Sequence, residues 1–187
     1  MLESLLAVAV TAVAGGALLT SLSSAIQSSS AAADTLVAQG LAEQLMNEVT
    51  SVRFSDGTEP IIVGSGLPGS EGSSRSAFDD IDDYAGWSSR PPVTREGRPL
   101  GTEGTDGAGQ YFSRPAELCP DAAYLARLTR EVIVERVVLD ADGNWATTFG
   151  ESNYRRVTVR VRAADANSQT RRLAELTRIL SNVPVSP

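Results

Sequence analysis

The sequence predicts an α+β chain: a long N-terminal helix, membrane-spanning and then amphipathic, packed on a small antiparallel β-sheet. Three observations carry that prediction. No charged residue occurs from Ser4 through Ala33. From Ala33 onward, Leu36, Val37, Leu41, Leu45, Val49 and Val52 recur on one helical face, while Asp34, Gln39, Glu43, Asn47 and Thr50 lie mostly elsewhere. Later, "YRRVTVRVRA" alternates valine with arginine and threonine, the two-residue period of a half-buried strand.

The apolar part of the helix, Leu5 to Ile26, spans roughly 33 Å at about 1.5 Å per residue. A bilayer's hydrocarbon core is about 30 Å thick. Small residues recur at Ala7, Thr11 and Gly15, and at Ala12 and Gly16. Such faces let helix backbones approach closely. A plain signal anchor is the simpler reading of the same stretch. A cleavable secretory signal needs a basic start and a shorter apolar run. Here the basic start is missing, and the helical pattern runs through Ala31-Ala32-Ala33. Ser55-Asp56-Gly57 supplies the stop signal. The expected organisation is a membrane-spanning half of the helix over residues 1–27, an amphipathic half over 28–53, and a loop-rich β-domain over 54–187.

Within that domain, residues 53–125 are loop-rich, with one short strand candidate at Ile61 to Val63. "GTEGTDGAG", Gly101 to Gly109, has the composition of a flexible insertion. Strands are expected near 130–140, 154–163 and 171–180. The first, "REVIVERVVLD", is rich in Val and Ile and reads as largely buried. In the second, Val157, Val159 and Val161 point inward, and Arg156, Thr158, Arg160 and Arg162 outward. "ADGNW" supplies the turn of a hairpin between them. In the third, the periodicity favours a helix, with Leu173, Leu176 and Leu180 on one face, and a third antiparallel strand is expected from a family resemblance rather than from that periodicity. No internal repeat is visible.

Composition narrows the function. The chain has 187 residues, a formal net charge of −7 and no histidine. The commonest general base and the commonest transition-metal ligand are therefore missing. No basic patch marks a nucleic-acid partner. Cys119 is the only cysteine, so neither an intrachain disulfide nor a cysteine-cluster zinc site can form. No enzyme is expected and no catalytic residue is assigned. Gly64-Ser65-Gly66-Leu67-Pro68-Gly69 fits G-x-G-x-x-G, but no helix-forming stretch follows it, and a loop explains it better.

"LESLLAVAVTAVAGGALLTSL" resembles the N-terminus of type IV pilin-like proteins, including type II secretion pseudopilins. "ADTLVAQGLAEQLMNEV" resembles the second half of their helix. "FDDIDDYAGW", Phe78 to Trp87, resembles a stretch of minor pilins of the mannose-sensitive haemagglutinin type. The resemblance implies a pilin-like fold and a single-pass subunit of the cytoplasmic (inner) membrane, with its C-terminal domain extracytoplasmic. It implies a lipid bilayer as the partner before assembly, and other pilin or pseudopilin subunits afterwards, in a surface or periplasmic filament. In the family a basic leader ending in Gly is removed by a prepilin peptidase, and the new N-terminus is methylated. The family also carries a Glu at the fifth mature position, and Glu3 matches that acid. This alignment places two mature residues, and a leader, upstream of Met1. By resemblance Glu3 neutralises a neighbour's N-terminal amine during assembly, with Ala7, Thr11 and Gly15 as the packing face.

Two acidic stretches invite a metal. Asp79, Asp80, Asp82 and Asp83 form a cluster, and hard cations such as calcium take several carboxylate oxygens. Some pseudopilins bind calcium, so these four are the calcium candidates. Turn-capping acids, with Phe78, Tyr84 and Trp87 pinning the loop to the sheet, are the structural alternative. Asp140-Ala141-Asp142-Gly143-Asn144 superficially resembles part of a calcium loop, but a hairpin turn explains it better. Paired acids also occur in glycosidases, yet nothing marks a substrate cleft. Cys119 has no histidine to activate it and reads as a packed or idle thiol. The expected function is a structural minor pilin or pseudopilin. The alternative is a membrane-anchored binding or adhesion module whose Gly-rich loops contact the ligand.

Overall fold

The computed structural model describes residues 2–55, 75–101, 121–164 and 169–182. Helix α1 runs unbroken over Leu2–Thr50. A single 3-10 turn follows at Asp82–Tyr84, then β1 (Ser88–Ser89), a short helix α2 (Ala122–Leu125), β2 (Leu128–Leu139), β3 (Trp145–Thr147), β4 (Tyr154–Ala164) and β5 (Thr170–Ser181). One long helix and an open antiparallel sheet make the fold α+β. The chain divides into two compact units, Met1–Val37 and Ala38–Pro187.

The first unit is helix alone. Leu6, Val13, Leu18 and Leu19 are between 66 and 73 % exposed, so its apolar side chains are not buried within the chain. Thr11 and Thr20 donate their hydroxyls back to the carbonyls of Ala7 (2.8 Å) and Gly16 (3.1 Å). Such back-bonding keeps these hydroxyls satisfied without water.

In the second unit, the last turns of α1 form one wall of the core. Ala38, Ala42, Leu45, Met46 and Val49 are fully buried, and Leu41 and Val52 are half-buried beside them. Leu36 departs from the expected face and is 69 % exposed. The buried stripe begins at Ala38, two residues on, and two residues rotate a helix by about 200°. The helix also stops earlier than expected, at Thr50. The Ser51 amide and hydroxyl both donate to the Glu48 carbonyl, at 3.1 and 2.7 Å, and close the final turn.

The other wall is the sheet, in the order β1-β2-β4-β5, with β3 paired to β2. In the antiparallel register Val132 faces Val159, Val134 faces Val157 and Val161 faces Ala174. All five valines are at most 2 % exposed. Fully burying each contributes roughly 1.5–3 kcal/mol. The outer face carries a ladder of charges: Glu131 lies opposite Arg160, Glu135 opposite Arg156 and Arg160 opposite Glu175. Thr158, expected to face outward, does so, yet it is only 7 % exposed. Its hydroxyl shares a hydrogen bond with that of Thr177 at 3.1 Å.

Residues 170–181 form a strand despite their helical leucine spacing. A register shift at Val161/Arg162 lets Leu173 as well as Leu176 and Leu180 pack against the core. The turn after β2 differs from expectation. It joins β2 to the short β3, and β4 arrives only after a further excursion. Asp140 Oδ1 accepts the amides of Asp142 (3.0 Å) and Asn144 (2.7 Å), and Gly143 takes φ 82°. A positive φ of that size favours glycine. Ile61 to Val63, the Gly64–Gly69 loop and Cys119 lie outside the described residues, as does most of the Gly101–Gly109 insertion.

Candidate functional site

Three groups of residues carry possible function. The first lies in the N-terminal unit. Glu3 is exposed in the first turn of α1, where a carboxylate complements the positive end of the helix dipole. Ala7 and Thr11 are exposed and Gly15 is half-exposed on the same helix. A methyl group added at Gly15 or Gly16 would meet nothing within 4 Å. The contacts of this chain alone therefore give no reason for glycine at either position. By length and composition α1 is a candidate membrane span, and its apolar window is not buried inside the protein.

The second group is the acidic loop. Carboxylate oxygens of Asp79, Asp80 and Asp83 lie within 4.8 Å of one another. Asp82, the fourth of the calcium candidates, is not part of that group. Its carboxylate instead receives both arms of Arg155, Nε at 2.8 Å and Nη2 at 3.0 Å. The other three are already engaged. Asp80 Oδ1 accepts the amides of Asp82 (2.8 Å) and Asp83 (3.1 Å). Asp83 Oδ2 accepts those of Asp79 (3.0 Å) and Asp80 (3.2 Å). Asp79 pairs with Arg53. Two guanidinium groups and four backbone amides thus supply the positive partners a calcium ion would supply, and the donor set fits a capped turn better than a cation cage.

That turn is latched to the core. Arg53 forms a parallel bridge with Asp80, and the Arg53 amide and carbonyl bond to Asp79 and Ile81 at 3.1 and 3.0 Å. Phe78 and Tyr84 are fully buried, ring edge to face, with centroids 5.1 Å apart. Gly86 donates to the Val132 carbonyl (3.1 Å), and Val132 donates to that of Trp87 (2.9 Å). The stretch Phe78 to Trp87 therefore joins the end of the helix to the sheet.

The third group was not anticipated: four arginines buried beside the valine core. Arg75, Arg130, Arg136 and Arg155 are 3, 1, 7 and 2 % exposed. Arg155 is held by Asp82 and lies over the Phe54 ring at 4.8 Å. Arg136 Nη1 reaches Glu151 at 3.0 Å. Arg75 and Arg130 both donate to the Val93 carbonyl. Arg75 Nε lies 3.1 Å from Glu48, and its guanidinium sits 4.3 Å over the Trp87 ring. Arg130 Nη1 reaches Leu41 O and Gln44 Oε1 at 3.4 and 3.3 Å. Tyr84 donates its hydroxyl to Glu48 at 3.1 Å. One carboxylate thus pairs with a buried cation and accepts from a phenol. Burial lowers the pKa of both arginines, and with Arg75 nearby that of Arg130 falls to about 10. Burial and the Glu48 charge push the Tyr84 phenol up. Strand parity was the missed signal. Arg130 and Arg136 share the even numbering of Val132 and Val134, and Arg155 the odd numbering of Val157 and Val159.

The long apolar helix and small antiparallel sheet are compatible with a pilin-like fold. Comparison with protein-family models, curated proteins and solved structures gave no match.

Proposed function

We propose that this chain is a structural subunit, a minor pilin or pseudopilin, of a type IV pilus-like or type II secretion filament. One observation carries the reading. A single uninterrupted helix leaves its apolar N-terminal side chains exposed, while its last turns build the core of the sheet domain. Exposed apolar helix of that length needs lipid or other helices around it. A subunit that moves from a bilayer into a bundle of like helices uses both in turn. The glycines at 15 and 16, unexplained within one chain, support close backbone approach between helices.

In this reading the subunit waits in the cytoplasmic membrane with its sheet domain outside, and its role is structural rather than catalytic. Glu3 enters an apolar bundle during assembly, where an unpaired carboxylate is costly, so it selects a neighbour that offers a positive group. The test is Glu3→Val in the producing cell, followed by fractionation of sheared filaments and membranes. The variant should accumulate in the membrane and be depleted from filaments. Unchanged incorporation would remove Glu3 from the assembly contact.

A further inference from the structure

Among the described residues, β5 ends the strand order and pairs with β4 alone. The Asn182 amide reaches the Asn153 carbonyl at 2.8 Å, continuing that register. Backbone groups alternate in direction along a strand. Even-numbered residues of β5 therefore bond to β4, and the N–H and C=O of Glu175, Thr177, Ile179 and Ser181 point away from it. Among the described residues no strand meets them.

Natural edges are guarded by bulges, prolines and charges. Here the register shift is confined to the start of β5, and from Ala174 to Ser181 the pairing with β4 is regular. That stretch contains no proline or glycine. Of its two charges, Glu175 is held by Arg160 and Arg172. Arg178 is exposed and makes no ion pair among the described residues. Opposite Val157 in register, Arg178 faces the helix side of the sheet, whereas Ile179 faces outward opposite Arg156. An apolar strip continues inward from Ile179. Tyr154 and Trp145, 39 and 36 % exposed, meet edge to face at 4.9 Å. On the same face, fully buried Val137 lies outside the main core cluster.

We propose that the β5 edge from Ala174 to Ser181 accepts an extended, acidic strand of another protein. Main-chain hydrogen bonds to Thr177 and Ile179 supply affinity, and alternate side chains supply specificity. An acid of the incoming strand faces Arg178, and an apolar residue on its other face lies over Ile179 toward Tyr154. The charge along the edge selects an acidic occupant: Glu175 is already held by Arg160 and Arg172, so exposed Arg178 is the charge of this stretch that is left to meet an incoming strand. The proposal holds whether or not α1 assembles filaments.

The test uses the full chain in detergent, isotope-labelled, with two synthetic decapeptides, one alternating valine with glutamate and one valine with lysine. The glutamate peptide should slow amide exchange at Thr177 and Ile179 by at least about tenfold, the mark of newly formed backbone hydrogen bonds. The lysine peptide should leave it unchanged, and Arg178→Glu, at an exposed position, should reverse the preference. Equal protection by both peptides, or protection at β1 or β3 instead, would overturn the proposal. So would concentration-dependent protection of these amides without peptide, because a second copy of the chain would then occupy the edge. Circular dichroism of Arg178→Glu checks that its fold is intact.

Discussion

Glu48 is the group on which the second unit's buried charge depends most. Its carboxylate is 17 % exposed and faces Arg75 at 3.1 Å, with Arg130 close behind through the shared Val93 carbonyl. Glu48→Gln keeps the shape and removes the charge. Two guanidinium groups then remain buried with no carboxylate partner among the described residues, facing only neutral acceptors: Val93 O, Leu41 O, Gln44 Oε1 and the new amide oxygen. Breaking a buried pair in this way costs about 3–5 kcal/mol. For a unit of this size a loss of 1 kcal/mol lowers Tm by about 2–4 °C, so the expected fall is about 6–20 °C.

Arg75→Met should cost less than Glu48→Gln. It loses the same ion pair and the contact with Trp87, but it leaves Glu48 to Arg130 and removes the repulsion between two buried cations. Urea unfolding of the detergent-solubilised chain, followed by tryptophan fluorescence, measures both, because Trp87 sits on Arg75. A loss below about 1 kcal/mol for Glu48→Gln, the range of a surface pair, would refute the reasoning. A larger loss for Arg75→Met than for Glu48→Gln would refute it too.

Asp82→Asn should cost a comparable amount, because it strands Arg155, which is 2 % exposed; a double-mutant cycle with Arg155→Met should return a coupling well above that of a surface pair. Tyr84→Phe removes a donor to Glu48 and should destabilise at pH 8. Because folding raises the Tyr84 pKa above its ordinary 10, this tyrosine's stabilisation is complete below pH 10 and declines as pH rises further. The gap between wild type and Tyr84→Phe should therefore close above pH 10 at up to about 1.4 kcal/mol per pH unit in thermal melts. Asp80→Ala leaves two amides without their acceptor and should cost about 1–3 kcal/mol in calcium-free buffer; a loss seen only when calcium is present would instead mark a bound ion. Gly15→Leu should leave the Tm of the second unit unchanged, since no atom lies within 4 Å of the new Cβ. On the proposed filament function, it should also reduce recovery of the chain in sheared filaments from cells.

The architecture was legible because its two periods are strong. Leu45 and Val49 at helical spacing, and Val157, Val159 and Val161 at strand spacing, are all fully buried. Leu41, Leu45, Val49 and Val52 fall on the core face as expected; Leu36 alone was misplaced, because it carries much hydrophobic signal while Ala38 and Ala42, which line the core, carry little. Small residues are what a helix uses where it approaches a sheet most closely, so their burial reflects geometry rather than side-chain hydrophobicity. The buried arginines escaped because charge normally marks a solvated face. The positions of Arg130, Arg136 and Arg155 follow strand parity, whereas Arg75 lies on no strand, and the partners that make burial tolerable do not follow from sequence. Asp82 and Glu48 lie 73 and 27 residues from Arg155 and Arg75, on other elements. The acidic loop was legible as a turn, and only geometry separated Asp82 from its three neighbours.

The buried arginines also bear on why the sheet adopts one register. Side chains alternate with a period of two, so a one-residue slip of β4 would turn Arg156, Arg160 and Arg162 toward the helix and put valines in water. The outer ladder alone is a weak guard, because partly exposed pairs such as Arg160–Glu175 contribute only about 0.2–1 kcal/mol each. The inner arginines raise the stakes. Arg155 meets Asp82 with both nitrogens, and Arg130 reaches the α1 carbonyl of Leu41, only when Arg136 faces Arg155 and Val132 faces Val159. Any other pairing strands a guanidinium in an apolar interior at a cost of several kcal/mol. The valines supply the driving force for burial and would supply much of it in several alignments. The arginines at either end of the valine rows, each with a distant and specific partner, reject the alignments in which those partners are out of reach.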